Sequence, residues 1–196
     1  MPATTVMLCG VGGQGTILAA DLLAKVAAAA GMAVKLSEVH GMAQRGGSVD
    51  TIVRFGDEVH SPVTDPGDVD HLVAFEIIEA MRRVHYVKLG GRLLVNPRAI
   101  QPLPVLTGDV RAVHGLEAAL EHEGAIFVDA DVLACRAGSP KSANVVLMGA
   151  LSVGLEFDKS AWIDVIASRV PPKTVEANLR AFELGREVCL KGECGL

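Results

Sequence analysis

Two short segments carry residue types that could do chemistry. The first is Gly10-Val11-Gly12-Gly13-Gln14-Gly15, a G-x-G-x-x-G spacing. It follows the apolar run Thr4 to Cys9 directly and opens a long apolar helical pattern ending near Ala30 and Gly31. Gly10 permits a tight turn, Gly12 and Gly13 leave no Cβ in the path of a ligand, and Gly15 lets helix and strand approach. The unpaired N–H groups at such a helix start, with their partial positive charge, suit an anion and above all a phosphate. The plainer alternative is a compact turn with no ligand.

The second segment is Ser37-Glu38-Val39-His40-Gly41-Met42-Ala43-Gln44-Arg45-Gly46-Gly47-Ser48. It follows a second strand pattern, Met32 to Leu36, and reads as an irregular loop. In an open α/β sheet it should lie beside the first loop at the carboxyl ends of the strands, where ligands bind. His40, Gln44 and Arg45 offer an imidazole, an amide and a guanidinium among the flexible Gly46 and Gly47. Arg45 suits a two-pronged grip on phosphate or carboxylate, and equally a salt bridge at a subunit interface. Glu38 lies 23 residues past Gly15. That is near the place where a dinucleotide fold keeps the carboxylate that binds a ribose hydroxyl, so an NAD reading stays open.

The elements that must position these loops alternate. Strands are expected at Thr4 to Cys9, Met32 to Leu36, Ser48 to Phe55, His71 to Phe75, Arg92 to Val95 and Ala125 to Val128. Gly56-Asp57 fits a hairpin turn with Glu58 to Ser61 as its return strand. Helices are expected from Gly13 or Gln14 to Ala30, Glu76 to Lys88, Glu117 to Glu123, a short one capped by Asp131, one opened by Ser139-Pro140 and running to about Gly154, and then Asp158 to Ser168 and Thr174 to Leu190. The first helix is apolar almost all round, so it should be covered on more than one side. Asp21 and Lys25 are spaced for an ion pair on it. Gly149 and Gly154 weaken a helix, and close packing is the expected reason for them. The whole predicts an α/β class: a doubly wound, mostly parallel Rossmann-like sheet with an antiparallel hairpin excursion and a helical C-terminal third, in one domain over residues 1–196.

Composition narrows the function classes. Hydrophobic residues make up 50% of the 196 and charged ones 21%, which argues against disorder. The net charge is -5 with no basic run, so no electrostatic grip on nucleic acid is expected. No apolar stretch is long enough to span a bilayer, and the start lacks a signal-peptide pattern, so a cytoplasmic protein is expected. Cys9, Cys135, Cys189 and Cys194 form no CxxC pair and no disulfide framework. His60, His71, His85, His114 and His122 form no H-x-x-x-H pair, and no metal site is expected. Asn96-Pro97 reads as a turn at the ligand edge.

GVGGQG followed by a helix and then SEVHGMAQRGGSVDTIVRFG resembles the gamma-type subunit or domain of 2-oxoacid:ferredoxin oxidoreductases. The VHGMAQRGG version is similar to the beta subunit of the indolepyruvate type. The likeness continues through HLVAFEIIEAMR, RLLVNPRAI, ANVVLMGAL and VEANLRAFELG, over nearly the whole chain. The resemblance implies a reaction in which a 2-oxoacid, coenzyme A and oxidised ferredoxin give an acyl-CoA, CO2 and reduced ferredoxin. It also implies a larger alpha subunit bearing thiamine diphosphate, Mg2+ and [4Fe-4S] clusters, with ferredoxin as the electron acceptor of the complex. This sequence agrees by omission. Gly108-Asp109-Val110 is not a thiamine motif, and closely spaced cluster cysteines are lacking. The chain is thus expected to position and enclose, not to be active alone. Gly10, Gly12, Gly13, Gln14, Gly15, His40, Gln44, Arg45, Gly46 and Gly47 are the candidates for holding the phosphates of coenzyme A or covering the thiamine site. No residue is assigned a catalytic role. Two other readings stand beside this one: a stand-alone NAD(P)-binding protein, and a non-catalytic assembly module.

Overall fold

Val6 to Cys9 have neighbours on both faces, so this run forms a central strand with apolar residues in succession. The computed structural model describes residues 2–41 and 46–191. The strands are β1 (Thr4–Val11), β2 (Ala33–His40), β3 (Ser48–Gly56), β4 (Val69–Ala74), β5 (Val87–Val95) and β6 (Ala125–Phe127). They lie side by side in the order β2-β3-β1-β4-β5-β6. β1, β4, β5 and β6 are parallel, while β3 pairs antiparallel with both β1 and β2. The doubly wound α/β class therefore holds, with its antiparallel excursion.

The helices are α1 (Thr16–Ala29), α2 (Ile77–Arg83), α3 (Leu103–Leu106), α4 (Leu116–His122), α5 (Ala130–Arg136), α6 (Ala143–Ser152), α7 (Lys159–Arg169) and α8 (Val175–Leu190). One face of the sheet, with Val6, Leu8, Val53, Val73 and Leu94, is covered by α1 and by the group α5 to α8. The other, with Met7, Cys9, Leu72 and Leu93, is covered by α2 and α4. Helix α1 touches β1, β2 and β3 below and α6 and α7 beside it, which accounts for its apolar surface. Asp21 pairs with Lys25 at 3.8 Å as spaced, and also with Arg169 at 2.7 Å. No helix among the described residues is long and apolar enough to cross a membrane.

Close packing explains the helix glycines. A Cβ on Gly149 would lie 2.1 Å from the Phe182 carbonyl oxygen, and one on Gly185 would lie 2.0 Å from that of Val146. Helices α6 and α8 thus cross backbone against backbone. Gly154, expected inside α6, is a turn residue just past its end at Ser152, and faces the Arg92 guanidinium just as tightly.

Four expectations need correction. Glu58 to Ser61 is no return strand; the hairpin partner of β3 is β2, with His40 opposite Val49. Consequently β2 runs on to His40, and the irregular stretch among the described residues shrinks to Gly41, Gly46 and Gly47. As an exposed edge strand, β2 has no buried face to give it an apolar alternation. The helix expected at Glu76 to Lys88 stops at Arg83. Val84–Tyr86 make one 3-10 turn, and Val87 to Val95 pair with β4, because long-range strand pairing outweighs local helical spacing. The cap of α5 is Asp129, whose carboxylate accepts the Val132 N–H at 3.0 Å; Asp131 lies in the first turn instead.

Two outcomes follow. Gly149→Ala and Gly185→Ala each lose about 1–3 kcal/mol or more in urea unfolding, because neither helix backbone can retreat. His71 is held down to about 4 by burial and by the neighbouring Arg92 charge, against 6.5 for the free side chain. Between those values the unfolded chain binds the proton and the folded one does not. Stability present above pH 6.5 therefore falls as the pH drops toward 4, and His71→Leu flattens that slope in urea titrations at several pH values.

Candidate functional site

Gly10 ends the straight part of β1 and is buried; a Cβ there would lie 2.5 Å from Gln14 Oε1 and 2.9 Å from Phe75 Cβ. Gln14 is turned inward. Its Oε1 accepts the Val11 N–H at 2.6 Å and its Nε2 donates to the Phe75 carbonyl at 3.3 Å. Its amide fastens the turn and leaves the ligand-facing work to the backbone. Gly15 has φ 83°, and a Cβ on it would lie 2.7 Å from Asn144 Nδ2, which donates to the Gly15 carbonyl at 3.3 Å. Helix α1 then starts without a side-chain cap. Within the turn, the Gly12 N–H is used by the Gly47 carbonyl at 2.9 Å, so the two glycine segments meet. The N–H groups of Gly13, Gly15 and Thr16 have no partner among the described residues. These are the amides left to receive an anion.

The turn separates two hollows. The larger, about 620 Å³, lies beyond the carboxyl ends of β1, β4 and β5. Arg98 enters it from the link after β5, Lys141 from the 3-10 turn Pro140–Ser142, and Asn144 from the head of α6, which also lacks a side-chain cap. Among the described residues the only carboxylate lining it is Asp131, which pairs with Arg98 at 3.4 Å. Two guanidinium or ammonium groups, two helix starts and the free amides give this hollow a net positive potential suited to phosphate. Neither Arg98 nor Lys141 stood out in the sequence. The weak signals were their positions just after Asn96-Pro97 and Ser139-Pro140, at a strand end and a helix start.

Arg98 is placed by buried polar groups. Glu76 is wholly buried at the start of α2, where its carboxylate accepts the N–H of Glu79 and, at 3.3 Å, that of Ile100. Burial raises its pKa. The Ile77 N–H donates to the Arg98 carbonyl at 2.8 Å. Asn96 ties the strand end down: Nδ2 donates to the Phe75 carbonyl and to Asp131, and Oδ1 accepts the Ala130 N–H. On the same side Ser48 donates to Glu79 at 2.6 Å, and Arg83 grips Asp50 with two nitrogens. These bonds hold β3, and hence Gly47, against α2. Cys9 lies beneath them; burial pushes its thiol up, so it is no nucleophile.

The second hollow, about 470 Å³, is lined by Gly12, Gly13, Gly15, Thr16, Glu38 and His40. His40 Nδ1 lies 3.1 Å from the Gly41 carbonyl, and a proton on Nδ1 would leave Nε2 as an acceptor. Glu38 is not where a dinucleotide fold needs it. It pairs with Thr51, which pairs with Leu8, so it sits two strands from β1, roughly 10 Å away instead of about 5 Å. Of the sequence candidates, Gly12, Gly13, Gly15, His40 and Gly47 converge. Gly46, at φ 78°, is exposed beside them, Gly10 is buried, and Gln14 is half-buried along the larger hollow. Gln44 and Arg45 lie outside the described residues.

A mixed α/β sheet with a glycine-walled hollow at its carboxyl edge, Arg98 and Lys141 among its lining, defines the class: a doubly wound α/β protein in which an antiparallel strand takes the place beside β1. Residues 5–188 match the family model for pyruvate ferredoxin/flavodoxin oxidoreductase, and the chain belongs to that family of oxidoreductase subunits. It is 41% identical over 192 residues to the indolepyruvate oxidoreductase subunit IorB of Thermococcus kodakarensis, covering 94% of this chain and 95% of that one. It is 28% identical to the 2-oxoglutarate synthase subunit KorC of Methanothermobacter marburgensis, over 96% and 97%. In fold it matches the gamma subunit of a keto/oxoacid ferredoxin oxidoreductase from Geobacter sulfurreducens, with a TM-score of 0.71 at 27% identity over 96% and 99% of the two chains. It also matches the 2-oxoglutarate:ferredoxin oxidoreductase of Magnetococcus marinus, solved with 2-oxoglutarate, coenzyme A and succinyl-CoA, with a TM-score of 0.74 at 20% identity. There it covers 96% of this chain and 31% of the other.

Gln14→Ala should loosen the turn by leaving the buried Val11 N–H without a partner. The expected loss is about 1–3 kcal/mol in chemical denaturation.

Proposed function

We propose that this chain is the small subunit of an indolepyruvate-type 2-oxoacid:ferredoxin oxidoreductase, and that its larger hollow holds the phosphate groups of coenzyme A. The complex would convert an aryl-pyruvate and coenzyme A to an arylacetyl-CoA and CO2, with the released electrons passing to ferredoxin. Thiamine diphosphate, Mg2+ and [4Fe-4S] clusters belong on the larger partner; when bound there they supply the carbanion and electron-transfer chemistry. In this reading the small subunit works inside the complex, in the cytoplasm, and contributes binding, orientation and exclusion of water.

The carrying observation is the meeting of Arg98 and Lys141 with the amides of Gly13 and Gly15, which have no partner among the described residues, around one hollow. Coenzyme A carries a pyrophosphate and a further ribose phosphate. One such group can rest on the helix start, as phosphates do at glycine turns, while the two cations take up remaining charge. The hollow of His40 and Glu38 on the other side of the turn is more acidic and poorly suited to phosphate. Gln44 and Arg45 adjoin Gly46 in sequence, and Arg45 remains a proposed phosphate or interface contact. The indolepyruvate assignment is supported by the names of relatives at 41% identity, and the coenzyme A assignment by the ligand of the Magnetococcus marinus enzyme.

Arg98→Ala and Lys141→Ala in the assembled complex should each weaken coenzyme A binding about tenfold, and together by more, in calorimetric titration. Dephospho-coenzyme A titrated beside it tells which cation meets the ribose phosphate. Arg45→Ala, titrated likewise, drops Arg45 from the site if affinity and turnover are unchanged. Coenzyme A binding of full strength in the Arg98→Ala, Lys141→Ala double variant defeats the phosphate reading. Tight NADH binding by the chain alone would favour the dinucleotide alternative.

A further inference from the structure

We propose that the link from β5 to α4, residues 96–115, together with the outer side of α2, is the seat of the larger subunit, and that the segment seated there is apolar with carboxylate flanks. The link has only the four-residue α3 as regular structure. Long links of this kind inside compact domains are uncommon and tend to be functional. This one is apolar where it meets water: Leu103 is 71% exposed, Leu106 70% and Val113 68%, with Val110 close behind. Between the link and α2 runs a groove of about 430 Å³, floored by Ile78, Met81, Val105 and Leu116. A chain that worked alone would rarely keep so continuous an apolar surface wet.

Charge decides the occupant. Arg82 and Arg111 stand in the wall of the groove, and none of the described residues lining it is acidic. Arg82 is half-exposed and shares Glu79 at 3.5 Å; Arg111 is exposed. A second copy of this chain would set the same arginines against each other. A partner offering apolar side chains flanked by Asp or Glu would satisfy both features. A larger body beside this fold also accords with the Magnetococcus marinus enzyme, where the fold makes up 31% of one longer chain.

The seat adjoins the hollow. Ile100 lines the hollow, and Gln101 and Pro102 line the groove. Pressure on the link is therefore transmitted to Arg98, whose carbonyl is held by Ile77 and whose neighbour Ile100 is held by Glu76. Seating of the partner would set the position of Arg98.

The partner's identity rests on the function proposed above, and the test separates the two. This chain is co-expressed with the thiamine-diphosphate-bearing large subunit, and the dissociation constant of the complex is measured. The variants are Leu106→Asp with Val113→Asp, Arg111→Glu alone, and Val63→Asp as an exposed apolar control elsewhere. The double variant is expected to weaken the complex about 100-fold and Arg111→Glu about tenfold, with Val63→Asp unchanged. All should keep wild-type circular dichroism and melting, since the changed side chains face water. If wild type binds the large subunit and the double variant binds equally well, the seat is wrong and the function stands. If the patch variants instead dissociate a homodimer and leave the complex intact, the seat belongs to a second copy and the proposal fails. If wild type does not bind the large subunit at all, both readings fall.

Discussion

Hydrogen bonding of one antiparallel strand between two parallel ones governs this molecule. β3 fills the place beside β1 that a dinucleotide-binding fold gives to its second parallel strand, and pairs along its length on both sides. Two consequences follow from that ladder. The start of β3 carries Gly47 to the glycine turn, where its carbonyl takes the Gly12 N–H. The end of β2 is pushed one strand outward, so that Glu38 sits two strands from β1 along the second hollow. One insertion thus braces the turn and displaces the strand-end carboxylate by one strand.

The bracing is done by polar side chains spent on backbone. Gln14 and Asn144 hold the two ends of the turn, Asn96 the end of β5, and Glu76 the link beyond it. Their neighbours are buried, so each bond is made where water cannot replace it. Among the described residues the amides of Gly13 and Gly15, at the edge of the hollow, are left without a partner. That division matters for function. A rigid set of donors pays no reorganisation when an anion arrives, so more of the contact energy appears as affinity.

The helical side supplies stiffness by close approach. Gly149 and Gly185 let α6 and α8 touch along their backbones, which fixes the head of α6, and with it Lys141 and Asn144, against the glycine turn. The opposite end of the hollow is looser in design. Arg98 hangs from a link with little regular structure, tied at Ile77 and Glu76 and otherwise apolar and exposed. One wall of the cleft is thus locked by helix packing, while the other hangs on a link with little regular structure.

By itself the sequence determined the alternation of elements, the glycine turn on its strand and helix, the packing role of Gly149 and the convergence of the two glycine segments, because these depend on local periodicity and on residues with special backbone freedom. Family membership was legible for the same reason, since GVGGQG and VHGMAQRGG keep their order and surroundings. The tertiary structure alone decided the rest. It turned Gln14 inward, since only contact with Phe75 across 61 positions shows where that amide points. It extended β2 to His40 and ended α2 at Arg83, since strand pairing is a long-range choice that local spacing does not encode. It also brought Arg98 and Lys141 to one hollow, since charged residues far apart in the chain carry no periodic signal and meet only when the sheet and helices are assembled.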